Sequence, residues 1–281
     1  MPRNKPALAA AATCIALAGC MTTPAPTVPT SPLVAAVPLK VYAAGSLREA
    51  MTAVAQLHEA QTGERVDLTF GASGLLHERI ERGEAAQVFA SADTQHLATL
   101  AAADTRWQPP TRFVRNKLCA ILSPAANTPP AVPGQLLSLL LNPALKLGTS
   151  TPKADPAGDY AWALFRRAEA VQPGAYALLD AKALKLTGSP AAAQPPAGRG
   201  AYSWLMDTGQ ADVFLTYCTN AAVVAREVPR MAVLSVPPAL EVGADYGVTA
   251  KAGDAGAARF VQLMMSASGQ ATFARFGFGA P

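Results

Sequence analysis

Residues 41–47 read Val41-Tyr42-Ala43-Ala44-Gly45-Ser46-Leu47, a short β-type run that closes on small residues. Apolar positions follow at helical spacing, Leu47, Met51, Val54 and Leu57, up to residue 61. That order places Ser46 as the N-cap of a first helix, directly after a first strand. The unit repeats. Residues 65–70 are strand-like, Gly71-Ala72-Ser73-Gly74 is a turn of small residues, and residues 75–82 are helical. A third strand, Gln87-Val88-Phe89-Ala90, runs into Ser91-Ala92-Asp93 and another helix. Strands alternating with helices require a parallel sheet covered on both faces, the doubly wound α/β class.

Farther along, Lys117-Leu118-Cys119-Ala120-Ile121-Leu122 reads as a longer strand, residues 136–141 as a short helix and Lys146-Leu147-Gly148 as a small strand. Asp155-Pro156-Ala157-Gly158 ends a loop before a helix over 159–170. Val213-Phe214-Leu215-Thr216-Tyr217 is an apolar strand, with residues 220–227 helical after it. The chain runs extended over 245–251 and finishes in two apolar helices, 257–265 and 269–276. The pattern predicts two α/β lobes, each a mostly parallel sheet flanked by helices, with a ligand cleft between them. Residues 39–116 and 246–281 would form lobe I, and residues 117–245 lobe II.

Arg3 and Lys5 precede an apolar run over residues 7–17, and Leu17-Ala18-Gly19-Cys20 closes it. This is the order of a secretory signal over residues 1–19, and the run is too short for a permanent membrane span. Its ending resembles the lipobox of bacterial lipoproteins, which implies a diacylated Cys20 as the mature start. Residues 20–38, uncharged and rich in Pro, Thr, Ala and Ser, read as a lipid-anchored tether. Losing Arg3 and Lys5 with the leader lowers the formal charge from +4 to about +2, too balanced for nucleic acid. Cys14 leaves as well, so Cys119 and Cys218 remain beside three histidines, His58, His77 and His96. That supply argues against a metal site built from side chains, and no cofactor is expected. In an oxidising compartment the two cysteines either pair or stay as buried thiols.

Ser46 and Ser73 each stand between the carboxyl end of a strand and the first turn of a helix. A helix start offers unpaired N–H groups and the positive end of its dipole, so an anion is welcome there. Ligands of open α/β sheets bind at these strand ends. The competing reading is that each serine merely caps its helix.

The stretch 41–47, then Phe70-Gly71-Ala72-Ser73-Gly74-Leu75 and Val88-Phe89-Ala90-Ser91-Ala92-Asp93, resembles in order and spacing the periplasmic molybdate-binding proteins of bacterial ABC importers. Asp155-Pro156-Ala157-Gly158-Asp159-Tyr160-Ala161 is similar to that family's Pro-Ala-Gly segment. Ala211-Asp212-Val213-Phe214-Leu215-Thr216-Tyr217 is similar to its strand ending in a ligand-contacting tyrosine, and Arg275-Phe276-Gly277-Phe278 to its finish. The likeness covers roughly residues 39–280. It implies a type II periplasmic solute-binding fold that holds molybdate or tungstate as an oxyanion, with no bare-cation site. It further implies that Ser46 and Ser73 each donate a hydroxyl and a backbone N–H, Ala157 a backbone N–H and Tyr217 its phenol. The family's fifth contact, a valine amide, falls on Ala197-Gly198-Arg199-Gly200-Ala201, which has no valine, so Gly198 or Arg199 takes the position. The implied partner is an ABC permease of the inner membrane. The chain would act as a monomer on the periplasmic or cell-surface side, touching the membrane only through its lipid.

Neutral donors suit an oxyanion that is fully deprotonated at neutral pH, such as molybdate, tungstate or sulfate. Hydrogen phosphate brings a proton that needs an acceptor, and an unmatched buried polar group costs about 1–3 kcal/mol. A sulfate-like anion is the alternative ligand. A serine-dependent hydrolase is the alternative class, because Ser150-Thr151-Pro152-Lys153 matches an S-x-x-K pattern, although the companion motifs are missing. No activated nucleophile is visible, and the chain is expected not to be an enzyme.

Overall fold

A computed structural model describes residues 1–2 and 37–281. The expected leader, Cys20 and the tether fall, but for their outermost positions, outside the described residues.

Strands β1 (Leu39–Ala44), β2 (Val66–Gly71) and β3 (Val88–Ser91) lie in parallel, with β1 between the other two. Helices α1 (Arg48–Thr62), α2 (Ser73–Glu81) and α3 (Gln95–Ala103) follow them in turn. Helix α1 buries the stripe Ala50, Met51, Val54 and Ala55. It stops at Gly63, whose φ of 72° is a left-handed conformation that glycine adopts without a Cβ penalty.

Strand β4 (Thr111–Leu122) joins the two halves of the sheet. Its residues 111–117 pair antiparallel with β9 (Gly243–Ala250), and residues 118–122 pair antiparallel with β7 (Val213–Tyr217). Strand β8 (Ala232–Ser235) lies along the last four residues, 119–122. On the far side, β5 (Leu147–Ser150) pairs in parallel with β7 and with β6 (Leu184–Thr187). One continuous sheet results, in the order β2-β1-β3-β9-β4-β7-β5-β6, with β8 on β4. The outer pairs are parallel, as strand–helix alternation requires. Antiparallel pairs occur where β4 and β9 pass between the halves. Strand β4 begins six residues before the apolar run that marks it in the sequence. There, exposed Arg112, Arg115 and Lys117 interleave with buried Phe113, Val114 and Asn116, so only one face is apolar.

The second half carries α4 (Leu136–Leu141), α5 (Pro156–Val171), α6 (Ala175–Lys182), α7 (Ala201–Asp207) and α8 (Cys218–Glu227). Helix α5 starts three residues before the expected 159 because the Asp155 carboxylate caps it and Pro156 occupies its first turn. Helices α9 (Ala255–Met265) and α10 (Ala267–Arg275) are capped by Asp254 and Ser266 and pack back on α1. Phe260, Met264 and Phe273 are buried in that contact layer. Cys119 of β4 and Cys218 of α8 are joined as a disulfide, their Cα atoms 4.8 Å apart.

Candidate functional site

The carboxyl ends of β1, β2, β3 and β7 converge on one cavity of about 60 Å³. Ala44, Gly45 and Ser46 line it after β1, Gly71, Ala72 and Ser73 after β2, and Ala92 after β3. From the other half come Asp155, Tyr202, Tyr217 and Asn220.

Neither serine caps its helix. A short 3₁₀ turn, Gly45–Leu47, intervenes between β1 and α1, and the helix start has no side-chain cap. The Ser46 Oγ lies instead 2.8 Å from the Tyr246 phenol oxygen. Asn116 Nδ2 donates to that phenol at 3.4 Å. The Tyr246 hydrogen is then free to go to Ser46, which leaves the Ser46 hydrogen for the cavity. Burial pushes the Tyr246 phenol well above its ordinary pKa, so it stays a neutral donor. Ser73 is the first residue of α2 and its Oγ accepts from the Ala92 N–H at 3.1 Å. A hydroxyl has one hydrogen to give, and that of Ser73 remains for an acceptor in the cavity.

Tyr217 ends β7 with 2% of its surface exposed, and its hydroxyl has no hydrogen-bond partner among the described residues. Burial holds its pKa well above the usual phenol value, so the unpaired group is a donor. A buried polar group without a partner needs an explanation, and a cavity beside it supplies one.

Two of the expected contacts are engaged elsewhere in this structure. The Ala157 N–H is already taken, because Asp155 Oδ1 accepts from it at 3.0 Å, and Ala157 does not line the cavity. Gly198 and Arg199 lie in an exposed turn before α7, with Gly198 at a φ of 79°. The Arg199 guanidinium turns to Asp207 at 2.9 Å, an ion pair that holds it away from the cavity. The lining residue from this segment is Tyr202, in the first turn of α7, with its hydroxyl 3.3 Å from Ser150 Oγ.

Asp155, Tyr202, Asn220 and Tyr246 escaped the sequence reading. For Asp155 a signal existed, since Asp immediately before Pro at a helix start is an N-cap pattern. Burial raises the pKa of its carboxyl, against the Ala157 N–H and the Ser150 hydroxyl, which lower it. Tyr246 had no local signal, because its partner Ser46 is 200 residues away.

The two halves touch over the cavity. The Gly74 N–H of α2 donates to the Ala154 carbonyl at 3.0 Å, and His96 Nε2 lies 3.3 Å from the Lys153 carbonyl. A Cβ on Gly74 would stand 2.4 Å from the Lys153 oxygen, so only glycine permits this approach. Ser150 of the S-x-x-K pattern is fully buried, its hydroxyl 2.7 Å from Thr187 Oγ1, whereas Lys153 is exposed. Among the described residues no cluster of His, Cys, Asp and Glu is placed to hold a metal ion. No helix among them is long and apolar enough to cross a membrane.

Residues 39–279 match the family model of bacterial extracellular solute-binding proteins. The chain is 37% identical over 212 residues to PM1146, an uncharacterized protein of Pasteurella multocida, covering 75% of this chain and 86% of that one. It is 27% identical over 257 residues to the molybdate-binding protein ModA of Mycobacterium tuberculosis, covering 90% and 88%. The solved periplasmic molybdate-binding protein of Azotobacter vinelandii has the same fold, with a TM-score of 0.67 at 19% identity over 86% of this chain and 99% of that one. The mixed α/β architecture, the cavity at the strand ends and the match over nearly the whole described chain agree: the protein belongs to the bacterial extracellular solute-binding family, whose members bind rather than transform their solutes.

Proposed function

We propose that the cavity binds one tetrahedral oxyanion, of the molybdate and tungstate kind, for delivery to an ABC permease. The observation that carries this reading is the Tyr217 hydroxyl, buried, unpaired and facing a space that Ser46 and Ser73 also line. Three neutral donors converging on about 60 Å³ suit one small ion. Sites for drug-sized ligands run to about 300–1,000 Å³. The anion would be held through its oxygens alone. The ModA relative supports molybdate over sulfate, which shares the charge and shape.

Residues 39–116 with 246–281 act as one lobe and 117–245 as the other, hinged where β4 and β9 cross. The anion bonds Ser46 and Ser73 first. Closure then brings Tyr217 onto it, and a ligand bonded to both lobes stabilises the closed form by its differential affinity. A lipid on Cys20 and the tether over 20–38 would keep this monomeric trap within reach of its permease, outside the cytoplasm.

Calorimetric titration of the purified protein with molybdate, tungstate, chromate, sulfate and phosphate tests the reading. Molybdate and tungstate should release heat and saturate at one anion per chain. Heat from none of the five would sink it.

A further inference from the structure

Among the described residues, Asp155 is the one acidic side chain in the cavity wall. It stands among groups that donate, Ser46, Ser73 and Tyr217, in a site that should otherwise take a fully deprotonated anion. An ionised carboxylate beside a dianion in a water-poor cavity is a like-charge contact, and both groups cannot stay fully ionised. We infer that the site binds its oxyanion together with one proton, held between the Asp155 carboxyl and an anion oxygen. This inference rests on the oxyanion reading above and adds a bound proton to it.

The geometry supports the assignment. Asp155 Oδ1 is fixed by the Ala157 N–H at 3.0 Å, and the Cα of Gly188 packs against its Cβ side, where an added Cβ would come within 2.4 Å. The carboxyl is therefore held in place at the mouth of α5. Its charged and titratable neighbours are Asp159 on α5, which raises its pKa, and His96 on α3, which lowers it. Tyr217 on β7 and Tyr202 on α7 face it as neutral phenols. Burial itself acts in the same direction as Asp159 and favours the protonated carboxyl. Among the described residues no group of His, Cys, Asp and Glu is placed to hold a metal ion.

Two kinds of anion can satisfy such a site. A monohydrogen oxyanion, of the phosphate or arsenate kind, brings its own proton and donates it to Asp155. A dianion such as molybdate or sulfate must bind to protonated Asp155, so its binding takes up a proton from water. Preference therefore moves toward the proton-bearing class as pH rises.

The test is calorimetry of the purified protein with phosphate, sulfate and molybdate at pH 6 and pH 8, each in two buffers of different ionisation heat. Sulfate and molybdate should take up about one proton per anion at pH 8 and weaken by up to about tenfold per pH unit above the carboxyl pKa. Phosphate should bind at pH 8 without net uptake. Asp155→Asn keeps the cap on Ala157 through its amide oxygen and offers an N–H to the anion. It should lose about ten- to a hundredfold in phosphate affinity, while sulfate binding tightens at pH 8 and loses its pH dependence. Asp155→Ser, which also caps, should weaken phosphate likewise and covers the case in which the asparagine variant fails to fold. Sulfate or molybdate binding without proton uptake, with phosphate excluded, overturns the inference and leaves the oxyanion reading standing. Binding of no anion at all removes both.

Discussion

The Ser46 hydroxyl lies 2.8 Å from the Tyr246 phenol, although 200 residues separate them in the chain. Asn116 donates to the same phenol at 3.4 Å, so the three side chains form a relay that ends in the cavity. Tyr246→Phe should weaken anion binding by about 1 kcal/mol, and Ser46→Ala by about 1–3 kcal/mol. If the relay acts as a unit, the double variant should bind no worse than Ser46→Ala alone. Fully additive losses in a titration would break the relay into two independent contacts.

Tyr217→Phe should move two properties in opposite directions. Removing a buried hydroxyl that has no protein partner relieves a desolvation cost, so the ligand-free protein should gain about 1 kcal/mol. The complex should lose about 1–3 kcal/mol of binding. Thermal unfolding with and without molybdate reads both. A variant destabilised in the free state would mean that the hydroxyl has a partner within the protein.

Gly74→Ala attacks closure rather than the anion. The new Cβ would meet the Lys153 and Ala154 carbonyl oxygens at 2.4 and 2.8 Å, where Gly74 now donates to Ala154. Each half should keep its fold, with an unchanged circular dichroism spectrum. Affinity should fall by tenfold or more, about 1.4 kcal/mol. Small-angle scattering with saturating anion should show a larger radius of gyration than the wild type, and equal radii would contradict the steric argument.

His96 adds a pH dependence to the ligand-free fold. Burial opposes its charge, but the hydrogen bond to Asp93 at 2.7 Å and the Asp93 charge outweigh that and raise its pKa. A raised folded pKa means stability that is fully present below the unfolded value, about 6.5, and lost as pH rises through the folded value. The advantage of the wild type over His96→Gln in melting temperature should therefore be largest in mildly acidic buffer and shrink toward alkaline pH. A pH-independent difference would show that the pair does not titrate.

The Cys119–Cys218 disulfide closes a loop with a sequence separation of 99. Cross-linking so long a loop limits the unfolded chain, and such bonds contribute about 2–4 kcal/mol. Cys119→Ser with Cys218→Ser should lower the denaturant midpoint accordingly. Because Cys218 directly follows Tyr217, anion affinity should fall too. An unchanged midpoint in oxidised and reduced protein would show that the bond carries no stability.

Much of the fold was legible because its signals are local. Strand β7 and helix α4 have the bounds that their apolar runs predict, and β1 with its small-residue end was readable at once. Helices α6 and α7 and strands β6 and β8 were missed. Strand β6 is short and half-exposed, as in Leu184 and Lys185, and β8 exposes Val233, so neither shows a clear period.

For the site, the sequence by itself determined that Ser46, Ser73 and Tyr217 stand at strand ends, where an α/β sheet binds its ligands. Position along an element depends on near neighbours, and near neighbours are what a sequence displays. Only the tertiary structure decided what each polar atom is left free to do. It released the two serines from helix capping, gave the Ala157 N–H to Asp155 and turned Arg199 to Asp207. It also set Asp155 in the cavity wall. Hydrogen-bond partners are settled by packing between residues far apart in the chain, as Ser46 and Tyr246 show. A donor's availability to a ligand is therefore a property of the folded whole.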